Sequence, residues 1–347
     1  MIKKIIKAVN VVFGNFVRVQ SRLSFDEARK YLQEISPKPK GTCYTKNKLA
    51  IQYDLHIIIP AYNAEKYIKE CLKSVFIQVS EYSVLVTVVN DGSTDQTSII
   101  LENLKKLYKG SQIDIEIINQ DNKGYSGARN TALSFIRGKY IIFLDADDIL
   151  PQDTIEVMLD TAYEYDADIL QGSWYTFTNE EKKEYRVKES GRKTGSQGYI
   201  SGYPWGKLYK YSVLENFQFP DGYWFEDTPI SFILAALPFK CISIDNIVYG
   251  YRLNSEGITS KAVYSEKSID SYWITEQCLK EFPKFKVHYD QKAYEYLLQQ
   301  SIMNAWRIRK QKRKVRESEF VLITKLMDDY FKGFHTKNAN MRKVENA

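Results

Sequence analysis

The sequence predicts an α/β fold in which helices cover both faces of a doubly wound mixed sheet. Short apolar strand patterns alternate with amphipathic helix patterns between about residues 55 and 150. This alternation is typical of βαβ units, which build a parallel sheet. Polar residues follow each predicted strand, and basic segments with helical patterns lie on both sides of this core. We therefore expect helical N- and C-terminal additions.

The N-terminal flank begins with an amphipathic pattern. Apolar residues recur at helical spacing over residues 2–17, while lysines fall largely on other faces. We expect a helix with a basic face, which either lies in a membrane interface or packs on protein. A second helix is predicted near residues 24–35, because Ser24 and Glu27 have the spacing of a capping box. Pro37 opens a linker.

The main domain is expected to begin near Gln52. The apolar runs predict strands at 55–60, 83–95 with its polar turn, 114–120, and 140–148 with its acidic end. The helical periodicity predicts helices at 64–78, 97–108 and 124–138. The glycine fingerprint of dinucleotide folds and the Walker phosphate loop are both missing, so a nucleotide would be held in another way.

The first two strands end in polar residues that suit a nucleotide. Pro60 fixes the first turn, Tyr62 can stack on a planar base, and Glu65 follows closely. Asp91 ends the second strand and can accept a hydrogen bond from a base N–H. Residues 93–94 are expected to cap the next helix. Taken singly, each of these features is also explained by turn and cap chemistry.

The next two strands end in residues that suit phosphate and metal. Asn122 and Gly124 allow a close backbone approach, and Arg129 can fix a carboxylate or a phosphate. Asp145 and Asp147 suit a divalent ion that also holds phosphate oxygens. A solvated turn before a helix is the alternative. Because strand ends of a parallel sheet meet at one edge, the four sets are expected to converge on one crevice.

Four motifs occur in order: IPAYNAEKYIKECLKSV, VVNDGSTDQT, NKGYSGARNTAL and FLDADD. Together they resemble family 2 glycosyltransferases of the GT-A fold, over about residues 54–260. The resemblance implies an inverting transferase that uses a nucleotide-sugar donor and Mn²⁺ or Mg²⁺. It implies that Asp91 contacts the base, Asp145 the ribose and Asp147 the metal, and that Arg129 supports the aspartates. The expected nucleotide-sugar site comprises Pro60, Tyr62, Glu65, Asp91, Asn122, Gly124, Arg129, Asp145 and Ala146, with Asp147 and Asp145 as metal ligands.

The second half of the domain is expected to bind the acceptor. Residues 151–180 predict a helix and a strand, and the polar stretch 181–198 predicts a mobile loop. Aromatic residues then crowd between 199 and 225. About half are expected to pack in the core and the others to form a sugar-binding wall, with Trp205 and Trp224 as acceptor-binding residues.

The pair Glu226–Asp227 resembles the family's Glu-Asp motif, whose aspartate is the general base. The resemblance implies that Asp227 takes the proton from an acceptor hydroxyl and that Glu226 belongs to the acceptor site. Asp227 can also cap the helix that begins at Thr228, and the two roles are compatible. The segment around Arg252 resembles the loop that closes over the diphosphate.

The predicted division of the chain has three parts. A basic helical extension and linker cover 1–50, and the transferase domain covers 51–264, with a Rossmann-like nucleotide half at 51–150 and an acceptor half at 151–264. A basic helical region covers 265–347. The Gln-x-x-Arg-Trp motif of processive synthases is absent from the sequence, which favours the addition of single sugars.

Charge is distributed unevenly along the chain. Residues 1–50 hold 11 Lys/Arg and 3 Asp/Glu, and residues 282–347 hold 15 and 7, so each flank carries +8 and the centre carries −10. This pattern argues against nucleic-acid binding by the core and favours an anionic membrane surface for the flanks. A homo-oligomer or protein partner is the alternative. The basic run at 306–316 is also explained by a solvated helix face.

We interpret the sequence as a transferase that moves a sugar, expected from a UDP donor, to a glycan or lipid-linked glycan acceptor in cell-surface glycan synthesis. Neither a signal peptide nor a long apolar run is apparent, and no Cys-x-x-Cys occurs. We therefore expect a cytoplasmic protein, peripheral at the inner face of the membrane. A sugar-phosphate nucleotidyltransferase and a non-catalytic carbohydrate-binding protein are the alternatives.

Overall fold

The computed structural model describes residues 23–187, 191–194, 200–254 and 264–336. The predicted helix at 2–17 lies outside these residues. The chain divides into two compact units, which we call the α/β unit and the helical unit. The α/β unit comprises residues 41–222 and 229–254, and the helical unit comprises, among the described residues, 23–40, 223–228 and 264–336. The predicted boundaries at residues 50 and 264 stay a prediction.

The described helices are α1 (Phe25–Ile35), α2 (Ile68–Phe76), α3 (Thr97–Leu107), α4 (Gly124–Leu133), α5 (Thr154–Tyr165), α6 (Tyr211–Leu214), α7 (Thr228–Phe232), α8 (Asp270–Glu281), α9 (Gln291–Arg307) and α10 (Arg313–Phe331). The described strands are β1 (Lys48–Ala61), β2 (Val84–Asp91), β3 (Ile113–Gln120), β4 (Phe135–Phe143), β5 (Ile169–Phe177), β6 (Lys182–Tyr185), β7 (Gly191–Thr194), β8 (Lys207–Lys210) and β9 (Lys240–Arg252). Short 3₁₀ turns occur at Leu234–Ala236, Glu266–Ile269 and Phe282–Phe285.

The described strands of the α/β unit form one mixed sheet in the order β3-β2-β1-β4-β8-β5-β9-β7, with β6 paired to β5. Strands β3, β2, β1 and β4 are parallel neighbours, and β8 runs antiparallel between β4 and β5. Strand β2 and the carboxyl-terminal halves of β1 and β4 are buried, as expected where helices cover both faces of a sheet. The predicted doubly wound mixed sheet is therefore confirmed.

The strand register brings the ends of the parallel strands to one edge of the sheet. Ala61 is opposite Asn90, and Asp91 is opposite Gln120. Leu144 follows β4 at the same edge and donates its N–H to the carbonyl of Ile58. The polar residues after β1, β2, β3 and β4 thus begin side by side, as the sequence predicts.

Strand β4 begins earlier than the sequence predicts. The helix expected over 124–138 ends at Leu133, and Phe135 already pairs with Lys48 of β1. The helix pattern continued through these residues, but pairing with the long strand β1 decides their conformation. Position 138 of this strand requires glycine, because a Cβ there would lie 2.4 Å from the backbone nitrogen of His56.

The predicted loop over 181–198 is also wrong in part. Residues 182–185 form β6 against β5, and residues 191–194 form β7 against β9. Trp174 and Tyr185 stack at 5.5 Å across the β5–β6 pair. Cross-strand aromatic pairing stabilises such a hairpin although the other side chains of β6 are charged.

The helical unit confirms the prediction of helices at the two ends of the chain. Ser24 caps α1 with its side chain, and Glu27 completes the capping box as its spacing predicts. Helix α1 packs against α10, and Trp273 and Tyr272 of α8 are buried in the same unit. In the described part of the chain, no helix combines the length and hydropathy that a membrane crossing needs.

Candidate active site

The acidic segment Asp145–Asp148 follows β4 at the carboxyl edge of the sheet, and we call it the acid turn. Arg129 of α4 donates from Nη2 to Oδ1 of Asp145 at 2.8 Å. The Arg129 guanidinium is buried and lies 5.2 Å from the centre of the Phe219 ring. A buried cation therefore holds the first aspartate of the turn, next to the like charges that follow it.

Asp148 is the buried anchor of the acid turn. The Tyr249 hydroxyl donates to its Oδ2 and the Arg252 N–H donates to its Oδ1, both at 2.7 Å. The Tyr249 oxygen also accepts the Asp145 N–H at 3.2 Å. Burial, and then the charges of Asp145 and Asp147, raise the pKa of Asp148 well above its ordinary value.

Sequence reasoning missed this anchor. The anchoring groups come from β9, about a hundred residues downstream of the turn. Spacing carries no sign of such a contact. The resemblance implied that the segment around Arg252 closes over the diphosphate, which stays a prediction. In the structure the Arg252 side chain donates from Nε to the Asp147 carbonyl at 2.7 Å and from Nη2 to Glu70 at 2.6 Å. Arg252 thus supports the backbone of the acid turn.

Asp147 is half-buried in the acid turn. Burial raises the pKa of Asp147, and the neighbouring charge of Asp145 raises it further. A hydrogen bond with the Asn254 side chain opposes this by lowering the pKa. Within the described ranges, no three His, Cys, Asp or Glu side chains are grouped to hold a metal. Asp145 and Asp147 still fit a divalent ion, because such ions are often bound by one or two carboxylates and completed by substrate phosphates.

The loops after β1 and β2 are bound to each other. Asn63, in the left-handed conformation at φ 48°, donates its N–H to the Ser93 hydroxyl at 3.0 Å. The Thr94 N–H donates to the Asn63 side chain at 2.8 Å, and the Gln96 N–H to Glu65 at 2.9 Å. The predicted ligand Glu65 therefore has a structural contact: it fixes the second loop.

The predicted capping of α3 by residues 93–94 is wrong. Asp95 accepts the N–H of Thr97 at 2.9 Å and the N–H of Glu65 at 3.1 Å. Its carboxylate thus satisfies donors at the start of α3 and in the first loop. Ser93 and Thr94 are used between the loops instead, which the sequence pattern alone does not distinguish.

Asp91 lies buried at the end of β2. Its Oδ1 accepts from Nε2 of Gln120 at 2.7 Å and from the Lys123 N–H at 2.8 Å. No described residue donates to its Oδ2. One carboxylate oxygen is thus fixed by the protein, and the second can accept from a ligand.

The other predicted nucleotide residues surround this edge. Tyr62 is 47% exposed, so its ring is open to a ligand, whereas Pro60 and Ala146 are buried in the chain that forms the edge. Asn122 is exposed and accepts the N–H of Gly124 at 3.2 Å. Gly124 has φ 75°, a backbone conformation that favours glycine. A Cβ there would meet no other atom within 4 Å, so the backbone conformation and not steric contact disfavours a side chain.

Trp205 belongs to an aromatic stack in the α/β unit. Its ring stacks with Tyr203 at 4.6 Å, Tyr249 at 4.7 Å and Tyr251 at 5.3 Å. Only 7% of Trp205 is exposed, against 39% of Tyr203. In this structure the Trp205 ring is therefore covered, and Tyr203 is the most exposed member of the stack.

Three predicted residues lie in the helical unit, on the segment Tyr223–Thr228. The Trp224 N–H donates to Asp270 at 2.9 Å, and the Thr228 N–H donates to the Phe225 carbonyl at 3.0 Å. Phe225 has φ 63°, a strained conformation for an aromatic residue, and the Arg307 guanidinium lies 3.7 Å from its ring centre. Glu226 and Asp227 are half-buried on this tight turn.

The mixed sheet with an acid turn at its carboxyl edge defines an α/β domain of the GT-A class. Residues 56–225 match the family model described as Glycosyl transferase family 2. Residues 56–225 therefore form a family 2 glycosyltransferase domain.

Known proteins share different parts of the chain. GlyA, a glycosyltransferase of Streptococcus pneumoniae serotype 4, is 32% identical over 232 residues, which are 61% of this chain and 32% of GlyA. GgaB, a minor teichoic acid biosynthesis protein of Bacillus subtilis, is 34% identical over 114 residues, 33% of this chain and 12% of GgaB. The chain thus spans a third or less of the length of these two relatives.

The structure of S. aureus TarS 1–349 in complex with UDP-GlcNAc superimposes with a TM-score of 0.53 and 19% identity. The match covers 80% of this chain and 93% of TarS 1–349. At this identity the likeness shows the fold, and it agrees with the GT-A architecture.

Proposed function

We propose that this protein is an inverting, metal-dependent glycosyltransferase of the hexosyl or N-acetylhexosaminyl type. It moves one sugar from a UDP donor to a hydroxyl of a glycan or lipid-linked glycan. The observation that carries the proposal is the acid turn: Asp145 and Asp147 lie at the carboxyl edge of the sheet, with Asp145 held by buried Arg129. Ligands of open α/β sheets bind at this edge.

The donor nucleotide would lie beside Asp91 and Tyr62. The second carboxylate oxygen of Asp91 accepts the N–H of uracil, and the exposed Tyr62 ring stacks on the base. Uracil offers a ring N–H to this carboxylate, whereas cytosine and adenine lack one, and this favours a UDP donor over a CDP or ADP donor. TarS, which has the same fold, was solved with UDP-GlcNAc, and this supports a UDP-sugar.

Asp145 and Asp147 would hold a Mn²⁺ or Mg²⁺ ion together with the donor phosphates. When bound, the ion offsets the negative charge that develops on the leaving diphosphate. The chain's own contribution is orientation. Arg129 fixes the Asp145 carboxylate, while Arg252 fixes the backbone of Asp147.

Asp227 is proposed as the general base. It takes the proton from the acceptor hydroxyl, whose oxygen attacks the anomeric carbon in line as the bond to the nucleoside diphosphate breaks. Loss of such a base typically lowers a rate by ~10²–10⁴. Glu226 and Trp224 are proposed to contact the acceptor, and buried Trp205 is proposed to support the wall of the acceptor site.

The acceptor is proposed to be a cell-surface glycan precursor at the cytoplasmic face of the membrane. Two findings support this: the basic flanks around an acidic centre, and the likeness to GgaB, a protein of minor teichoic acid biosynthesis. The flanks would attach the protein to anionic lipid by about 1 kcal/mol per engaged Lys or Arg. A homo-oligomer is the alternative use of the flanks.

A donor screen tests the proposal. Each nucleotide sugar is incubated with the protein, Mn²⁺ and a panel of acceptors, and the released nucleoside diphosphate is counted. We expect release from a UDP-sugar that depends on metal. Release of pyrophosphate from a nucleoside triphosphate and a sugar phosphate would identify a nucleotidyltransferase instead, and binding of glycan without any release would identify a carbohydrate-binding protein.

Two variants separate the proposed roles. Asp147→Asn should abolish metal-dependent donor binding, whereas Asp227→Asn should spare donor binding yet lower transfer by about a hundredfold or more. Calorimetric titration of the donor with and without Mn²⁺ gives the first readout and product formation gives the second. Near-normal transfer by Asp227→Asn would move the base elsewhere, with Glu226 next.

A further inference from the structure

Three cations share one buried carboxylate in the helical unit. Glu276 of α8 accepts from Nη1 of Arg29 at 2.6 Å, from Nζ of Lys38 at 2.6 Å and from Nζ of Lys280 at 3.2 Å. The Glu276 side chain is buried, and its pKa is lowered to about 2 by Arg29 and Lys38, against the effect of burial. One carboxylate charge neutralises one of these cations and leaves two in excess.

Two of these cations, Arg29 and Lys38, line a surface groove, which we call the basic groove. It is lined by Asp26, Arg29, Lys30, Gln33, Lys38, Pro39 and Lys40. Together with Lys280 and Glu276, these residues comprise five basic side chains and two carboxylates, a formal charge of +3. Lys30 and Lys40 are exposed, and neither has an ion pair with another described residue.

The inner cations are held in place before any ligand arrives. Arg29 makes a second hydrogen bond from Nη2 to Glu276 at 3.3 Å, and its guanidinium lies 5.3 Å from the centre of the Trp273 ring. Burial lowers the pKa of Lys38 although Glu276 opposes this. A second anion at the groove would therefore favour the charged form of Lys38. Charge balance at Glu276 requires only one cation, and Lys30 and Lys40 make no ion pair with a described residue that would explain their position.

We propose that the basic groove binds a phosphate group, carried by a phosphate ester. Phosphate presents several charged oxygens at once, which suits an arginine and several lysines around one point. Lys30 and Lys40 bind the phosphate oxygens that face solvent. Arg29 and Lys38, which pair with Glu276, attract the phosphate from the inner side of the groove. The site consists wholly of residues of the helical unit, and it does not depend on the transferase activity.

The first test is calorimetric titration of the full chain with sodium tripolyphosphate. EDTA is present, because diphosphate binding at the acid turn is expected to need a divalent ion. In Lys30→Gln/Lys40→Gln the affinity should fall about tenfold or more, the loss expected for one charge-assisted hydrogen bond. Since both side chains are exposed, the fold should be unchanged by circular dichroism.

Matched controls separate a site from a general charge effect. Lys310→Gln/Lys332→Gln removes the same charge from exposed positions of the helical unit and should bind tripolyphosphate as the wild type does. Asp147→Asn should also bind it normally, so failure of the groove and failure of the proposed transferase function are distinguishable. Lys38→Gln, whose amide can still donate to Glu276, tests the inner cluster and should also weaken binding.

A second arm identifies the source of the phosphate. The same variants are sedimented with vesicles of phosphatidylglycerol and phosphatidylcholine, and with phosphatidylcholine alone. Loss of tripolyphosphate binding in Lys30→Gln/Lys40→Gln supports a soluble phosphate ester, and selective loss of phosphatidylglycerol binding supports a lipid headgroup. Binding unchanged in both arms, equal losses in Lys310→Gln/Lys332→Gln, or equal affinity for citrate would overturn the proposal.

Discussion

The ion pair between Arg129 and Asp145 is expected to be a main support of the acid turn. The Arg129 side chain is 4% exposed and that of Asp145 is 26% exposed. Removal of the cation would leave Asp145 partly hydrated, so the cost should be near that of one charge-assisted hydrogen bond, about 1.5–3 kcal/mol. Loss of the contact with the Phe219 ring adds about 0.5–2 kcal/mol. Arg129→Met, which keeps most of the packing, should thus destabilise the protein by roughly 2–5 kcal/mol.

A double-mutant cycle isolates the pair. Urea unfolding followed by fluorescence is measured for the wild type, Arg129→Met, Asp145→Asn and the double variant, and the coupling energy should be about 1.5–3 kcal/mol. The ion pair of Arg137 with Glu116, which is more exposed, is the control and should couple by about 1 kcal/mol or less. If Arg129 and Asp145 couple by less than about 0.5 kcal/mol, the acid turn does not rely on this cation.

Three further predictions follow from buried polar groups. Tyr249→Phe removes a donor to buried Asp148 and should lower the urea-unfolding free energy by about 1–3 kcal/mol. Burial raises the pKa of Glu319 to about 8 from an ordinary 4.5, so the folded chain keeps a proton that the unfolded chain releases, and stability should fall as pH rises from 4.5 to 8. Glu319→Gln should remove this slope in thermal unfolding at several pH values, and an unchanged slope would place the titration elsewhere. Asp91→Ala should weaken UDP binding about tenfold or more by calorimetry and should narrow the preference for UDP over CDP, whose base lacks the ring N–H, and a wild type that prefers GDP would contradict the uracil assignment.

The strands and their polar ends were predictable because each depends on local pattern. An apolar run such as 55–60 predicts a buried strand from its own composition. The parallel register of the strands then brings Asp91 and Asp145 to the same edge of the sheet. The boundary of α4 was not predictable in this way. Residues 135–138 fit a helix pattern, and pairing with the early part of β1 makes them strand.

The candidate site shows the same division between local and distant causes. The spacing of Asp145 and Asp147 was visible in the sequence, and so was the isolated Arg129. The structural role of Asp148 was not predictable from the sequence, because three aspartates in one short segment differ only in the residues that contact them. Of the three carboxylates, Tyr249 and Arg252 donate hydrogen bonds only to that of Asp148, and they come from a strand about a hundred residues away.

This arrangement explains how three like charges can occupy one turn. Asp148 is buried and accepts hydrogen bonds from the Tyr249 hydroxyl and the Arg252 N–H, and Asp145 forms an ion pair with Arg129. The half-buried Asp147 carboxylate has no ion pair among the described contacts, and its pKa is raised by burial and by Asp145. Its half-buried charge is therefore the least satisfied of the three, since burial and Asp145 both act against it. A ligand that brings positive charge to Asp147 relieves that repulsion, so the turn favours binding of a cation at the position where the donor diphosphate is proposed to lie.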